Sequence, residues 1–169
     1  MQRVKLACVN WVSHLDTMVA GGLNKQPLDV VSIVYGDKTH WDVLLLYMPN
    51  GAEAVHIANP NVLVILSGLS YDRDLSFLQN QSVNLTFTRK LVFEVHRYGF
   101  TDAKIWEYSN ANQACVNVVD IFMRSAGFLL EQGWPLFFSE FGMDLRGTNE
   151  QLNRYMNCFF ALAAELDFD

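Results

Sequence analysis

Short apolar segments alternate with helical patterns from residue 62 onward, and this alternation restricts the fold more than any other feature. Residues 62–66, 91–96 and 134–142 have the length and composition of strands, whereas residues 113–131 repeat apolar side chains at helical spacing. Strands that lie between helices are apolar on both faces. A succession of strand, helix and strand predicts parallel strands joined by right-handed crossovers. The expected fold class is therefore α/β, built from parallel β/α units.

Two helices in this part of the chain have recognisable ends. Apolar residues recur at positions i, i+3, i+4 and i+7 in residues 113–131, and Gly133 follows where a helix cap is expected. Residues 148–151 read Thr-Asn-Glu-Gln, which is a capping box, and apolar residues at helical spacing follow it. A short helix is also expected near residues 75–78.

The first third of the sequence is harder to assign. Residues 4–9 are a strand candidate that ends on Asn10 and Trp11, whereas residues 27–35 begin like a helix and end like a strand. Residues 41–48 are apolar, and Pro49-Asn50-Gly51 predicts a turn that ends this run. A short helix should follow and end at Asn59, before Pro60. In total we expect five or six strands.

Composition favours one domain that covers residues 1–169. The chain is 51% hydrophobic, which is enough for a sizeable core, and its net charge is −6. No run of Lys or Arg is longer than two residues, so neither nucleic acid nor an anionic membrane is expected as a partner. The apolar runs are shorter than the roughly 18 residues that span a bilayer, and no signal region precedes residues 4–9. We therefore expect a soluble protein without an export signal.

The cysteines and asparagines give conflicting indications of compartment. Cys8, Cys115 and Cys158 cannot all pair within one chain, and their spacing fits no zinc site, so buried free thiols are expected. Asn80-Gln81-Ser82 and Asn84-Leu85-Thr86 are two N-glycosylation sequons in one polar segment. Such a close pair indicates an ancestor that passed through the secretory pathway.

Glu140 is the first candidate for a functional residue. It stands at the end of the apolar run in residues 134–142, where an unpaired acid costs several kcal/mol unless it reaches a wet crevice. In parallel α/β folds, that crevice lies at the carboxyl ends of the strands. The alternative is an ion pair between Glu140 and a Lys or Arg.

Three polar residues on the preceding strand are expected to share a face. Side chains alternate along a strand, so Glu94, His96 and Tyr98 should point the same way, with His96 and Tyr98 nearest the carboxyl end. Alternatively, His96 is a core histidine with satisfied hydrogen bonds. If the Tyr98 hydroxyl reaches Glu140, it would hold the carboxylate in place and favour the ionised form that a nucleophile requires.

Other chemistries have little support. The sequence contains no GxGxxG, GxxxxGK[ST], GxSxG or HExxH motif, and its histidines lack metal-ligand spacing, so we expect no cofactor and no metal. Cys8 lies in an apolar strand candidate, where a thiol is unreactive. Trp11 is either a packing residue or a surface on which a sugar ring stacks.

Several of these segments resemble the plant cellulase-like branch of glycoside hydrolase family 5. The similarity includes residues 5–21, 51–68, 91–98 and 134–142, and covers about three quarters of the chain. The family folds as an eight-stranded β/α barrel and cleaves β-linked glucans or mannans with retention of configuration. The resemblance implies that Glu140 is the nucleophile, that His96 and Tyr98 form the His-x-Tyr pair, and that Asn10 and Trp11 bind substrate. Members of the family are usually secreted.

The sequence also departs from the family pattern. The family's acid/base is the Glu of an Asn-Glu pair at the end of the fourth strand, and the one such pair here, Asn149-Glu150, lies in a helix cap. The Arg, the third-strand His and the eighth-strand Trp of the family are missing too. Residues 31–50 form an atypical junction where barrel units are absent, and Asp37 and Asp42 in this junction are candidates for a replacement acid/base. The resemblance thus implies a shortened, incomplete barrel with impaired turnover.

Two functions of different classes follow. The first is a retaining glycosidase that acts on a β-linked oligo- or polysaccharide through Glu140. The second is a non-catalytic remnant that binds sugar through Trp11, His96 and Glu140. A flavodoxin-like binding module would need a phosphate loop, which the sequence does not contain.

Overall fold

The computed structural model describes residues 41–144, 146 and 150–167. The strand candidate at residues 4–9, the ambiguous segment at 27–35, and the site candidates Asn10 and Trp11 lie outside the described residues. The capping residues Thr148 and Asn149 also lie outside them, although the helix they were expected to start is present from Glu150.

The described part of the chain contains one parallel sheet of three strands. The strands are β1 (Val64–Leu66), β2 (Leu91–Tyr98) and β3 (Leu136–Gly142), and β2 lies in the middle with β1 and β3 at its sides. The predicted parallel β/α arrangement is confirmed, and the strands follow one another across the sheet in chain order. The expected five or six strands are not reached within the described residues, where only these three occur.

The helices connect and flank the strands. Short 3-10 turns occupy Ser76–Gln79 and Gly99–Asp102. The α-helices are α1 (Trp41–Ala58), α2 (Ala103–Tyr108), α3 (Ala111–Phe122), α4 (Phe128–Glu131) and α5 (Glu150–Glu165).

The turn predicted at Pro49-Asn50-Gly51 is wrong, because α1 continues through it from Trp41 to Ala58. Proline within a helix removes one backbone hydrogen bond, and its ring crowds the preceding turn. Packing overrides this local preference here. Ala52, three residues later, is buried in the core, and Met48 packs against the same core.

The helix predicted for residues 113–131 is confirmed and begins two residues earlier. Asn110 caps α3 by accepting a hydrogen bond from the Asn112 backbone N–H at 3.0 Å. A π-helical segment, Met123–Gly127, joins α3 to α4 without a break in the helix. Gly133 ends it with φ of +80°, and its N–H donates to the Leu130 carbonyl.

The stretch from Ala111 to Glu131 is long and apolar enough to cross a membrane by length and composition. One face of this helix instead supplies core residues, among them Val118, Phe122 and Leu129. The Phe122 ring stacks on the Phe138 ring of β3, with centroids 5.3 Å apart. Contacts of this kind are those of a core helix packed on its sheet.

A disulfide joins Cys115 of α3 to Cys158 of α5. The expectation of free thiols is therefore wrong for these two residues, and Cys8 lies outside the described part of the chain. Sequence spacing could not reveal the pair, because the two cysteines are 43 positions apart and their approach depends on how the helices pack against each other.

Candidate active site

The carboxyl ends of the three strands form the candidate site. Along β2, buried Phe93, Val95 and Arg97 alternate with half-buried Glu94, His96 and Tyr98. The prediction that Glu94, His96 and Tyr98 share a face is therefore confirmed. The opposite face of β2 packs on the helices, so this polar face is the one on which a ligand can lie.

Glu140 reaches that face because the ladder between β2 and β3 slips by one residue. Val95 pairs with Phe138, but the next residue of β2, His96, pairs with Glu140 rather than with Ser139. Side chains alternate between the faces of a strand, so a slip of one residue changes the face of everything after it. The irregularity at Ser139 therefore moves Glu140 from the buried face to the face of His96.

The side chains of Glu140, Tyr98 and His96 meet at one carboxylate oxygen. The Tyr98 hydroxyl donates a hydrogen bond to Glu140 Oε2 at 2.9 Å, and His96 Nδ1 lies 3.4 Å from the same oxygen. The Glu140 side chain is 52% exposed, whereas that of His96 is 17% exposed. One oxygen of Glu140 is thus held from two sides while the carboxylate stays open to solvent. The hydrogen bond to Glu140 also raises the pKa of Tyr98, because a nearby carboxylate opposes formation of the phenolate.

Asp72 belongs to this cluster, although we did not identify it from the sequence. Its Oδ2 lies 3.4 Å from His96 Nδ1, so His96 stands between the carboxylates of Asp72 and Glu140. Burial raises the pKa of Asp72 from 3.8 to about 6, while His96 opposes this rise and Glu94 adds to it. The signal available in the sequence was position, because Asp72 follows the end of β1 just as Glu140 stands near the end of β3.

A strained turn after β1 brings Asp72 to the site. Ser70, Tyr71 and Asp72 have φ values of 56°, 61° and 57°, which are unfavourable for residues other than glycine. The Gly68 N–H donates to Asp72 Oδ1 at 2.9 Å. A side chain at Gly68 would not fit, because its Cβ would lie 2.7 Å from the Asp74 carbonyl oxygen. Strain of this kind persists only where surrounding contacts enforce it.

Glu94 lies deeper on the same face and accepts a hydrogen bond from the Ser67 hydroxyl. Asp72, Glu94 and His96 present potential metal-ligand atoms within 4.8 Å of one another. Both carboxylates also accept hydrogen bonds from protein groups, Glu94 from Ser67 and Asp72 from the Gly68 N–H.

Phe100 extends the aromatic surface of the site and is a second residue that we did not identify from the sequence. Its ring stacks on the Tyr98 ring, with centroids 5.0 Å apart and an angle of 13° between the planes. Phe100 remains 65% exposed, so the stack presents a flat apolar surface to solvent beside Glu140. An aromatic residue two positions after the end of a strand was the available signal.

These strands and this cluster agree with what comparison with known proteins shows. The sequence model of the family Cellulase (glycosyl hydrolase family 5) matches residues 32–166. The chain belongs to glycoside hydrolase family 5. A curated relative, a glycosyl hydrolase 5 family protein from Chamaecyparis obtusa, is 46% identical over 127 residues. That match covers 73% of this chain but only 22% of the relative, so the family 5 chain described here spans a small part of the relative's length.

Solved structures support the fold of this family 5 chain. A cellulase in complex with an inhibitor matches it with a TM-score of 0.66 and 21% identity, over 74% of this chain and 38% of that one. An endocellulase from Pyrococcus horikoshii in complex with cellotetraose matches with a TM-score of 0.62 and 20% identity, again over 74% and 38%. The three described strands thus form an incomplete part of a (β/α)8 barrel, as predicted.

Proposed function

We propose that the chain is a retaining glycosidase of the family 5 type that hydrolyses β-linked glucan or mannan, with Glu140 as the nucleophile. The observation that carries the proposal is the position of the Glu140 carboxylate. It is exposed at the carboxyl end of a parallel sheet, hydrogen-bonded by Tyr98 and flanked by His96. A nucleophile needs a free oxygen for attack and contacts that fix its direction.

In this mechanism a Glu140 oxygen attacks the anomeric carbon and displaces the leaving alcohol. Water then hydrolyses the covalent glycosyl-enzyme, and two inversions give net retention. Tyr98 and His96 act by positioning the carboxylate. For substrate binding we propose Asn10 and Trp11, from the family resemblance, and the exposed ring of Phe100, from its place beside Tyr98.

A retaining glycosidase also needs an acid that protonates the leaving oxygen, from a carboxyl group about 5–5.5 Å from the nucleophile. The family's Asn-Glu pair has no counterpart among the described residues. Glu94 lies about 6 to 7 Å further down the strand than His96, which is too deep for this role. Asp37 and Asp42 remain candidates from the sequence. General acid help contributes typically 10²–10⁴-fold, so we propose that turnover of natural polysaccharide is low.

The substrate we favour is β-glucan. The structural relatives with this fold include a cellulase and an endocellulase bound to cellotetraose. The alternative function is a non-catalytic remnant that binds carbohydrate, and it is favoured by the absence of the family's acid/base pair from the described residues. Both functions use the same surface, so binding alone does not separate them.

A fluorosugar trap separates the two functions. In 2,4-dinitrophenyl 2-deoxy-2-fluoro-β-cellobioside the leaving phenolate departs without a proton, so the reaction needs a nucleophile but no acid. The glycosidase hypothesis predicts a covalent fluorocellobiosyl adduct on the peptide that contains Glu140, measured by mass spectrometry. Glu140→Gln should form no adduct, and Glu94→Gln should still form it. Binding of cello-oligosaccharide without an adduct would establish the remnant instead.

The same proteins can be assayed on natural polymers. We expect the parent chain to release reducing sugar from β-1,4-glucan or β-mannan slowly. The rate of Glu140→Gln should be lower than the parental rate by about 10³-fold or more. A Glu140→Gln variant that kept the parental rate would exclude this residue as the nucleophile.

A further inference from the structure

A polar loop between β1 and β2 contains both N-glycosylation sequons of the sequence. Asn80 ends the 3-10 turn Ser76–Gln79, and Asn84 lies four residues further along. Both asparagines are exposed. An acceptor asparagine must be accessible, and the bulky oligosaccharide attached to it must extend into solvent. Both positions meet this requirement.

The backbone after Asn80 alternates between the core and solvent. Val83 and Leu85 pack against the core, whereas Ser82, Asn84 and Thr86 are exposed. Asn84 and Thr86, the first and third residues of one sequon, therefore lie on the solvent side of the segment. A glycan at Asn84 would point away from the apolar side chains that anchor the loop.

The loop ends on the side of the sheet that is opposite the candidate active site. It leads into Lys90 and the beginning of β2, and Lys90 Nζ donates to the carbonyl of Asn61, just before β1, at 3.1 Å. Glu140 and Tyr98 lie where the strands end. The eight residues of β2 separate the two ends by roughly 23 Å.

A second, independent observation indicates the same compartment. The Cys115–Cys158 disulfide requires an oxidising environment, and disulfides are rare where thiols are kept reduced. N-linked oligosaccharide is added in the oxidising lumen of the secretory pathway. The disulfide lies on α3 and α5, whereas the sequons lie in the loop before β2, so neither feature follows from the other.

We propose that Asn80 and Asn84 are N-glycosylation sites of this protein. A lipid-diphosphate-linked oligosaccharide is the donor. The side-chain Nδ2 of each asparagine forms a bond to the anomeric carbon of the sugar, the bond from that carbon to the diphosphate oxygen breaks, and the lipid diphosphate leaves. The asparagine loses one amide proton to a base of the transferase, and nothing is oxidised or reduced.

One contact of the folded loop determines when transfer takes place. The Thr86 hydroxyl donates to Glu53 Oε2 at 2.7 Å, and the Thr86 N–H donates to Glu53 Oε1 at 2.5 Å. The sequon hydroxyl at Thr86 is therefore engaged once the loop has packed on α1. Transfer to Asn84 precedes this packing and takes place while the chain enters the lumen.

The test is expression of the full chain in yeast behind a cleavable secretion signal, followed by enzymatic release of N-glycans in ¹⁸O water. This release converts each glycosylated asparagine to an ¹⁸O-labelled aspartate, which mass spectrometry assigns to a position. We expect label at Asn80 and Asn84, two mobility steps on deglycosylation, and loss of one step in each of Asn80→Gln and Asn84→Gln. Thr86→Ser should keep the Asn84 step and Thr86→Val should lose it. Asn112→Gln, which changes an exposed asparagine outside any sequon, should change nothing.

Thiol labelling with and without reductant shows whether the analysed molecules reached the oxidising lumen. Secreted or retained protein in which Cys115 and Cys158 are paired, but in which neither asparagine is labelled, would overturn the proposal. Label at one asparagine alone would overturn the assignment of the other.

Discussion

His96 and Glu140 are partners across the β2–β3 ladder because Ser139 is passed over in the register. In a ladder without this slip, Glu140 would share the buried face with Phe138, two residues earlier, and an exposed carboxylate would be lost from the site. The nucleophile proposed here therefore depends on an irregularity in the backbone as much as on the identity of residue 140.

Tyr98→Phe should slow formation of the fluorosugar adduct without weakening sugar binding. The substitution removes the hydroxyl that donates to Glu140 Oε2 at 2.9 Å and leaves the ring that stacks on Phe100. A hydrogen bond to a charged group contributes about 1.5–3 kcal/mol, so we expect the trapping rate to fall roughly 10- to 150-fold. Stopped-flow release of dinitrophenolate gives the rate, and calorimetry with cellotetraose gives the affinity. Tyr108→Phe, at an exposed tyrosine that ends α2, is the matched control. Equal rates in the two variants would contradict the positioning role of Tyr98.

Glu140→Gln should lower the pKa of Tyr98. In the parent protein the hydrogen bond to Glu140 and its negative charge raise the pKa of Tyr98 above the ordinary value of 10.0. A neutral amide removes the charge that opposes the phenolate, so the pKa moves back toward the ordinary range. NMR titration of ¹³Cζ-labelled tyrosine measures it, and Tyr98→Phe identifies the resonance. A Tyr98 resonance with the same midpoint in both proteins would show that the two side chains do not interact in solution.

The outline of this site could be predicted from sequence because it depends on local rules. Alternation along a strand placed Glu94, His96 and Tyr98 on one face, and an apolar run placed Glu140 near a strand end. The slip at Ser139 follows no such rule, because it depends on the pairing of two strands that are about 40 residues apart in the chain. The sequence therefore predicted the edge of the sheet at which Glu140 stands, but not the face of the sheet on which its side chain lies.

Features that depend on contacts between distant segments could not be predicted for the same reason. The helix through Pro49 exists because Ala52 packs in the core, and the disulfide exists because α3 and α5 meet. Asp72 reaches His96 through a left-handed turn of residues that rarely adopt one, so no propensity indicates it.

In Asp72→Asn, the free energy of unfolding should fall less than in the parent as pH rises from about 4 to about 7. The pKa of Asp72 is raised from 3.8 to about 6 in the folded protein, mainly by burial. Between these values the folded state holds a proton that the unfolded state has released, so the free energy of unfolding falls as pH rises from about 4 to about 7. The decrease from this group is at most about 3 kcal/mol. Asparagine does not titrate, so the stability of the variant relative to the parent should increase with pH across this window.

Urea unfolding at a series of pH values measures the difference between the parent and Asp72→Asn. Asp120→Asn, at an exposed position on α3, controls for the exchange of a carboxylate for an amide. Curves for the parent and Asp72→Asn that stay parallel from pH 4 to pH 7 would contradict a buried, proton-holding carboxyl group at Asp72.

Reduction of the Cys115–Cys158 disulfide should destabilise the fold by about 3–4 kcal/mol. The bond closes a segment with a sequence separation of 43 residues, and the chain entropy that it removes from the unfolded state grows with the length of that segment. We expect the urea midpoint of the parent protein to fall on addition of dithiothreitol, and the double variant Cys115→Ser, Cys158→Ser to unfold at the reduced midpoint with or without the reductant. A parent protein that is insensitive to the reductant would show that the pair contributes nothing to stability.

Tyr155→Phe should destabilise the protein, and it tests whether α5 holds the strand that presents the site residues. Tyr155 is 1% exposed, and its hydroxyl donates to the Arg97 carbonyl at 2.8 Å. Arg97 lies between His96 and Tyr98 on β2, so this hydrogen bond anchors the strand that presents them. Loss of the donor removes a buried hydrogen bond, which costs about 0.5–1.5 kcal/mol in the free energy of unfolding. Urea unfolding measures the cost, and Tyr108→Phe, at an exposed tyrosine, should cost less than about 0.5 kcal/mol. Equal stability of the two variants would mean that the Arg97 carbonyl finds another donor and that α5 does not hold β2 through this bond.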